Sequence, residues 1–195
     1  LAKRDEDGQP VGVSVDLARN LAARLGVPIQ LVNFESAGKV VEAGRTGGWD
    51  LAFVAIDPLR GQDLLQTNPY VNIEGAYLVR ADSPIRRNED VDRDGIRIAV
   101  GKGSAYDLFL SRELKRARIV YAPTSPAVTD LFVEQKLDPF AGGQLALGML
   151  RLDPARAAAH PGDGPALFQL GQDLGQMAYA LLEQYTAKMH DIGSR

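Results

Sequence analysis

The sequence predicts an α/β protein made of two similar halves, and three features support this. Over residues 11–56, apolar strands alternate with amphipathic helices in the order strand, helix, strand, helix, strand, which is typical of a parallel sheet covered by helices. Residues 51–56 form a continuous apolar run of the kind that is buried on both faces of a sheet. A second cycle of strand and helix starts at residue 96. We therefore expect two α/β lobes with a boundary near residue 77.

The elements of the first half follow from local patterns. Residues 11–15 alternate like a short strand, and Asp16 is placed to cap the next helix. Gly26 is suited to end that helix. Leucines recur on one face of it, at Leu17, Leu21 and Leu25. Two further strands and a helix are expected at residues 27–34, 51–56 and 37–44.

The second half repeats this alternation. Strands are predicted at residues 73–79, 96–100, 118–121 and 137–141, and helices at 105–116, 124–135 and 145–150. Apolar residues then recur at helical spacing in the tail, at Leu170, Leu174, Met177, Leu181 and Tyr185. These patterns divide the chain into a first lobe at 1–76, a second lobe at 77–150, and a linker with a C-terminal helix at 151–195, which we expect to pack on the first lobe.

Composition narrows the function classes. The chain has no cysteine, which excludes disulfides, thiolate metal sites and cysteine nucleophiles. Its net charge of −3 gives no basic surface for nucleic acid, and no apolar run reaches the length of a membrane span. The two histidines, His160 and His190, fall in the linker and the tail, so we expect no metal, no cofactor and no catalytic dyad.

The most informative short segment is Asp-Pro-Leu-Arg at residues 57–60, followed by Pro-Tyr at residues 69–70. Its arginine comes directly after the apolar strand at 51–56, and ligands bind at the carboxyl ends of such strands. A guanidinium group matches the two oxygens of a carboxylate. Arg60 is therefore predicted to bind a carboxylate. The alternative is a surface arginine in a turn.

Several segments occur in an order that resembles one family. They are residues 5–12 with Gly-Gln-Pro-Val-Gly, 15–18 with Val-Asp-Leu-Ala, 47–50 with Gly-Gly-Trp-Asp, the stretch 57–70, 79–85, and 98–104 with Ile-Ala-Val-Gly-Lys-Gly-Ser. Together they resemble the amino-acid-type solute-binding proteins of ABC importers, solute-binding family 3, which are type II periplasmic binding proteins. The resemblance covers roughly residues 1 to 145 and does not extend to the tail.

The resemblance implies a fold and a function. The fold would be a two-lobed clamshell in which each lobe is a mostly parallel sheet flanked by helices, closing over a small solute. The protein would be a periplasmic or extracytoplasmic monomer that captures a small anionic solute, an amino acid or related organic acid, and presents it to a membrane permease. Residues 1–8 do not read as a signal peptide and the first residue is not Met, so we interpret the chain as processed, trimmed or partial.

The resemblance also implies roles for individual residues. Arg60 matches the arginine that grips the ligand carboxylate, although a structural pair with Asp57 would also explain it. Ser104 matches a hydroxyl at a helix start, where the N–H groups of Gly103, Ser104 and Ala105 would face an anion. A plain N-cap is the alternative, and the two roles are compatible. Ala55 stands where the family carries hydroxyl groups near the ligand, and this position makes it a candidate ligand-binding residue.

Glu74 is the remaining candidate. It follows the Pro-Tyr corner, where its carboxylate would receive a ligand amine, unless it is simply solvated. Some relatives on this fold are dehydratases, and in that alternative Glu74 would be the general acid and Arg60 would hold the substrate. A third alternative is a sensor or degenerate module that signals to a partner.

Departures from the family pattern leave the ligand open. Ala37 stands where an aromatic residue often stacks on the ligand, and Gly142 or Gly143 where an aspartate takes the α-amino group. A simple carboxylate is therefore as compatible with the sequence as an α-amino acid. The family's first strand and the strand that returns to the first lobe are also not evident. Either the chain is a fragment, or a partner supplies the strand, or the tail reorganises the first lobe.

Overall fold

The computed structural model describes residues 2–73, 75–80, 83–143, 165–168, 177–179 and 185–189. The chain divides into two units. Unit 1 is Leu1–Val71 with Ala178–Arg195, and unit 2 is Asn72–Met177. Each unit contains a sheet and helices, so the predicted α/β class is confirmed.

The helices and strands follow the predicted alternation through residue 143. The helices are α1 (Val13–Leu25), α2 (Ala37–Arg45), α3 (Ala105–Glu113) and α4 (Ser125–Glu134). The strands are β1 (Lys3–Arg4), β2 (Pro10–Val11), β3 (Ile29–Asn33), β4 (Leu51–Ala52), β5 (Val71–Ile73), β6 (Gly75–Arg80), β7 (Arg97–Gly101), β8 (Arg118–Ala122), β9 (Pro139–Gly143), β10 (Pro165–Phe168), β11 (Met177–Tyr179) and β12 (Tyr185–Met189). In these described ranges, no helix is long and apolar enough to cross a bilayer. The helix expected at 145–150 lies outside the described residues.

The sheet of unit 1 has the strand order β3-β12-β4, with β12 antiparallel to both neighbours. In the register, Tyr185 lies opposite Asn33 and Met189 opposite Ile29. A separate hairpin pairs β1 with β2. The sheet is therefore mixed in direction rather than mostly parallel, because the tail strand enters it against the direction of β3 and β4.

The tail is the main difference from the sequence prediction. A single helix was expected over 167–189, but the described parts of that range are strand in β10, β11 and β12. The physical reason is that β3 and β4 need a backbone partner between them, and hydrogen bonds to β12 satisfy both. Of the three alternatives given for the missing first strand, this agrees with the one in which the tail reorganises the first lobe, with a strand in place of the expected helix.

The return of the chain to unit 1 was not evident from the sequence. The division between the units falls between Val71 and Asn72 and again between Met177 and Ala178. These two points lie in β5 and β11, which pair with each other in a two-stranded sheet. Both points of division therefore fall within strands.

Helix α1 begins earlier and faces differently than expected. Its N-cap is Gly12, whose φ of 124° is a conformation that favours glycine over other residues. The helix therefore starts at Val13, and Asp16 lies in its first turn instead of capping it. The buried side chains are small: Ser14, Val15, Ala18 and Ala22. Two of the leucines at helical spacing lie on the outer side, with Leu17 exposed by 40% and Leu25 by 52%, and Leu21 is half-buried. Gly26 ends the helix in a left-handed conformation, as predicted.

Helix α2 is fixed to the segment that leads to Arg60. Val40, Val41 and Val54 form a buried cluster, and Trp49 packs against it. The Trp49 indole Nε1 donates a 2.8 Å hydrogen bond to the Val40 carbonyl oxygen, which sets the orientation of the ring. Regular strand ends at Ala52, but the chain continues inward through Val54.

Unit 2 contains a five-stranded sheet that is covered on both faces. The order is β10-β6-β9-β7-β8, with β7 parallel to β8 and β9, and β6 antiparallel to β9 and β10. Side chains alternate between the faces. One face packs with α3 through Tyr77, Val79, Ile98, Val100 and Leu110, and the other packs with α4 through Leu78, Ala99, Val128, Phe132 and Phe140.

A carboxylate fixes the loop that precedes β8. The Asp92 side chain accepts hydrogen bonds of 2.8–3.1 Å from the backbone N–H groups of Lys115, Arg116 and Ala117. Partial burial raises the pKa of Asp92, but these N–H donors and the Arg116 charge outweigh it, so that the pKa lies below its ordinary value. Burial, together with the Asp92 charge, raises the pKa of Tyr77.

Asp92→Ala should lower the free energy of unfolding at pH 7 by about 1–2 kcal/mol, because the N–H groups at 115–117 lose an ionised acceptor that is only partly shielded from water. A carboxyl group whose pKa is depressed by folding stabilises above its unfolded pKa and loses that effect as the pH falls toward the folded value. The difference between parent and variant should therefore shrink below about pH 4 in urea denaturation curves. Asp94→Ala, an exposed site in the same loop, is the control; a constant difference between pH 7 and pH 3 would contradict this account.

Gly44→Ala should destabilise the protein by about 1 kcal/mol. A Cβ atom at residue 44 would lie 2.4 Å from Trp49 Cζ2, and relieving such a clash costs about 1–3 kcal/mol. The better helix propensity of alanine returns only about 1 kcal/mol. In thermal denaturation, the double variant Gly44→Ala/Trp49→Phe should show a smaller loss than the sum of the single variants. Strict additivity would show that the indole ring is not the obstacle.

Candidate functional site

Arg60 lies in a short helical turn that follows the inward run of unit 1. The turn is a 3-10 helix at Arg60–Gln62. The Gly61 N–H donates to the Asp57 carbonyl oxygen at 2.9 Å, and the Leu64 N–H donates to the Arg60 carbonyl oxygen at 3.0 Å. The main chain is thus hydrogen-bonded on both sides of the arginine, so its Cα position is well defined.

The Arg60 side chain is buried, with only 3% of the residue exposed. Its Nη1 atom donates to the carbonyl oxygen of Ala55 at 3.2 Å, a contact within the segment that connects β4 to the turn. Ala55 is itself 2% exposed. The alternative of a solvated surface arginine is therefore wrong, and Ala55 contributes a backbone acceptor that orients the guanidinium group.

Asp57 starts the same turn and is 4% exposed. Its Oδ1 atom accepts a hydrogen bond from the Leu59 N–H at 2.9 Å, in the manner of an N-cap. Proline at residue 58 suits the first position of such a turn, since its missing N–H would have no helical partner. Within the described part of unit 1, the buried ionisable side chains are Asp57 and Arg60.

In unit 2, Ser104 and Gly103 lie at the start of α3. Ser104 is the N-cap, and its Oγ atom accepts a 3.1 Å hydrogen bond from the Asp107 N–H. The Gly103 N–H, which was expected to face an anion, donates instead to Asp107 Oδ2 at 2.7 Å, and the Ser104 N–H donates to the Gly101 carbonyl oxygen at 3.1 Å. Two donors of the predicted anion site therefore have acceptors inside the protein.

Asp107 is the residue that the sequence interpretation missed here. It is 8% exposed, and its Oδ1 atom also accepts a hydrogen bond from Ser111 Oγ at 3.0 Å. The spacing Ser104-x-x-Asp107 is close to that of a capping box, in which the third helical residue reaches back to the N-terminal N–H groups. That spacing was a signal that could have identified it.

The loop after Arg60, residues 61–66, lines an open concavity. The Gln66 Nε2 atom is buried there without a hydrogen-bond partner in the described part of the chain. Arg45 and Asp63 form an ion pair at the loop, with an Nη2···Oδ2 distance of 2.6 Å. Tyr70 packs edge-on against Phe53, with ring centroids 6.0 Å apart.

One candidate residue is outside the part of the chain that the structure describes. Glu74 lies outside the described residues, as do His160 and His190. Among the residues that are described, no group of histidine, aspartate and glutamate side chains is arranged to hold a metal ion. The structure therefore brings Ala55 and Arg60 together in unit 1, and Gly103 and Ser104 together in unit 2.

The comparison with protein families gives a match along nearly the whole chain. Residues 2–190 match the family described as bacterial extracellular solute-binding proteins, family 3. The match includes the tail, which the sequence resemblance did not reach.

A curated relative and several solved structures are also similar. The chain is 26% identical over 184 residues to a cyclohexadienyl dehydratase of Pseudomonas aeruginosa, and it spans 65% of the length of that enzyme. It is similar to an L-arginine-bound ABC transporter substrate-binding protein of Streptococcus pneumoniae, with a TM-score of 0.73 at 19% identity, covering 97% of this chain and 76% of that one. It is also similar to an ancestral amino acid-binding protein described as a precursor of cyclohexadienyl dehydratase, with a TM-score of 0.67 at 21% identity, covering 96% of this chain and 75% of that one.

These structural likenesses confirm the fold that the sequence predicts, that of two-lobed type II periplasmic binding proteins, and they leave the ligand open. The range that matches the family model, residues 2–190, includes Arg60, and the family is one of extracellular proteins that bind solutes. The chain belongs to the bacterial extracellular solute-binding proteins, family 3.

Proposed function

We propose that this protein captures a small carboxylate-bearing solute, an amino acid or a related organic acid, and presents it to the membrane permease of an ABC importer. It would act outside the cytoplasm, in the periplasm or an equivalent space, as a monomer and without a cofactor. Membership of solute-binding family 3 supports the general activity. The observation that carries the specific proposal is the buried guanidinium group of Arg60.

Burial is what makes Arg60 suitable. A guanidinium group on an exposed turn would gain little from a carboxylate, because water screens the attraction. In a site shielded from water the same contact is stronger, and the planar fork of the guanidinium can hold both carboxylate oxygens. The backbone bonds of the turn and the Ala55 carbonyl fix the group in advance, which lowers the entropic cost of binding.

Thermal stabilisation by ligands tests this proposal. L-arginine, L-lysine, L-glutamine and small carboxylates at about 100 times their dissociation constants should raise the melting temperature by about 5–10 °C, since binding to the folded state stabilises it by about 2.7 kcal/mol. Arg60→Gln should reduce the affinity for the stabilising ligand at least 100-fold, because the main contact to the carboxylate is removed.

Arg45→Gln provides the matched control. It makes the same change in net charge in unit 1, but at a side chain that is 58% exposed and paired with Asp63. Each variant is compared with its own melting temperature without ligand, because loss of a buried arginine also destabilises the fold. Equal stabilisation of the parent and of Arg60→Gln, or no stabilisation of the parent by any compound, would refute the proposal.

A second candidate function is a dehydratase activity like that of the Pseudomonas aeruginosa relative. The 26% identity to cyclohexadienyl dehydratase is the observation that favours it. Arg60 would then hold the substrate carboxylate, and Glu74 would be the general acid. We rank the dehydratase activity second, because membership of a solute-binding family explains a binding role for Arg60 and requires no reaction.

Incubation with prephenate separates the two functions. Ultraviolet absorbance would detect conversion of prephenate to phenylpyruvate. We expect none at a protein concentration high enough for ligand binding to be stoichiometric. Turnover that is abolished in Glu74→Gln and retained in Glu35→Gln, an exposed glutamate, would reverse our ranking. Turnover that survives in both variants would point to a different general acid.

A further inference from the structure

We propose that the free edge of β8 in unit 2 is a docking site for an extended, acidic segment of a partner protein, which pairs with β8 as an added strand. The site consists of the backbone of Ile119 and Tyr121 and of the basic residues that lead into the strand. It is separate from Arg60 and does not depend on which solute the protein binds.

The position of β8 leaves one of its edges open. β8 is the last strand of the five-stranded sheet, and in the described part of the chain it pairs only with β7. At the start of β8, the Arg118 N–H donates to the Ile96 carbonyl oxygen at 2.9 Å. At its end, the Ala122 carbonyl oxygen accepts from the Lys102 N–H at 2.9 Å. Arg118 and Ala122 therefore turn their backbone groups toward β7.

The backbone of Ile119 and Tyr121 points the other way, because alternate residues of a parallel strand bond to the same neighbour. Among the residues that the structure describes, their two N–H groups and two carbonyl groups have no hydrogen-bond partner. Such a row of free groups pairs readily with an extended segment from another chain. Pro123 has no N–H, so the pairing stretch ends there.

The side chains along this edge suit β-branched neighbours. Ile119 is half-buried and packs against the core on the α3 side of the sheet. Tyr121 is 48% exposed. Because aromatic and β-branched residues on neighbouring strands stabilise each other, the partner segment should carry valine, isoleucine or threonine beside these two residues.

The segment that leads into β8 is basic and determines the charge of the partner. Residues 112–118 contain four basic residues and one acidic residue, a net charge of +3 in a chain whose net charge is −3. Lys115, Arg116 and Arg118 are exposed. In the described ranges, Lys115 and Arg118 form no ion pair, whereas the Asp92 charge lies near Arg116. These cations attract acidic groups.

Strand direction then fixes the order of residues in the partner. Antiparallel pairing is the more stable arrangement, and it places the C-terminal end of the added strand beside residues 115–118. A fitting segment therefore has β-branched residues followed by acidic ones. A second copy of this chain fits poorly, because residues 118–125 contain no acidic residue to meet the cations.

Fluorescence anisotropy with labelled peptides tests the proposal. The probe is Thr-Val-Thr-Val-Thr-Glu-Glu-Glu with blocked ends, and its control replaces the three glutamates with lysines. The parent should bind the acidic peptide about tenfold or more tightly than the basic one. Lys115→Gln/Arg118→Gln should weaken this binding about tenfold. Arg24→Gln/Lys39→Gln, which removes two exposed cations from α1 and α2, should leave it unchanged.

A proline substitution tests the backbone contacts. Tyr121→Pro should weaken binding of the acidic peptide about tenfold or more and keep the pairing with β7, because proline is accepted in an edge strand where its missing N–H would face solvent. Tyr121→Thr is the matched control: it loses the same ring, keeps the N–H and should bind within about threefold of the parent. Circular dichroism and the melting temperature check that each variant is folded.

N-methylated peptides give a test that leaves the protein unchanged. The N–H groups of the valines and of the threonines lie on opposite edges of an extended strand. Methylation of one set should abolish binding, and methylation of the other should preserve it. Equal effects of the two sets would overturn the strand-pairing site, as would equal losses in Tyr121→Pro and Tyr121→Thr.

Two further results would also overturn it. One is the absence of binding of the acidic peptide at about 1 mM parent protein, or equal binding of the acidic and basic peptides. The other is a dimer of the parent in sedimentation equilibrium that Tyr121→Pro dissociates, which would show that a second copy occupies the edge. Stabilisation by solutes is measured separately at Arg60, so failure of the docking site leaves the proposed function standing.

Discussion

The structure of unit 1 depends on the stabilisation of one buried positive charge. Removing a guanidinium group from water costs several kcal/mol unless nearby groups compensate for it. Around Arg60, the carbonyl oxygen of Ala55 accepts a hydrogen bond from the guanidinium group, and a second buried ionisable residue, Asp57, lies three residues earlier in the chain. Both lie in one short stretch of chain. The position of the charge is therefore set locally, by the path that the backbone takes after β4.

That path depends in turn on packing around β4. The cluster of Val40, Val41 and Val54 anchors the segment against α2, and the Trp49 ring is held by its bond to the Val40 carbonyl. The sheet itself is completed by β12, which pairs with β4 and β3 from a position more than 130 residues later in the chain. The site is thus local in its contacts but relies on a long-range strand for its support.

Features decided by neighbouring residues could be predicted from the sequence. The cap at Ser104, the glycine end of α1 at Gly26 and the alternation of strand and helix up to residue 143 depend on local hydrogen bonds and side-chain spacing. The turn at Arg60 was identifiable for the same reason, since proline after aspartate favours it. Local chemistry was enough to find the arginine.

Features decided by distant partners could not be predicted. Apolar spacing in the tail suits a helix, yet Met177 and Tyr185 lie in strands because open sheet positions need backbone partners. Likewise, leucine spacing on α1 does not reveal that the small residues Ala18 and Ala22 form the buried face. A helix can lie closer to its neighbours through small side chains, and the sequence alone does not state which face has a neighbour.

The two candidate regions differ in the charged groups that they contain. At the start of α3, the Asp107 carboxylate already accepts the Gly103 N–H, and it places a negative charge where an anion would have to bind. In unit 1, the buried aspartate has a buried arginine as its neighbour, so the region holds both signs of charge in a low-dielectric setting. Under the proposed function, the attraction for a ligand carboxylate comes from Arg60, which is the one buried cationic side chain in the described part of unit 1.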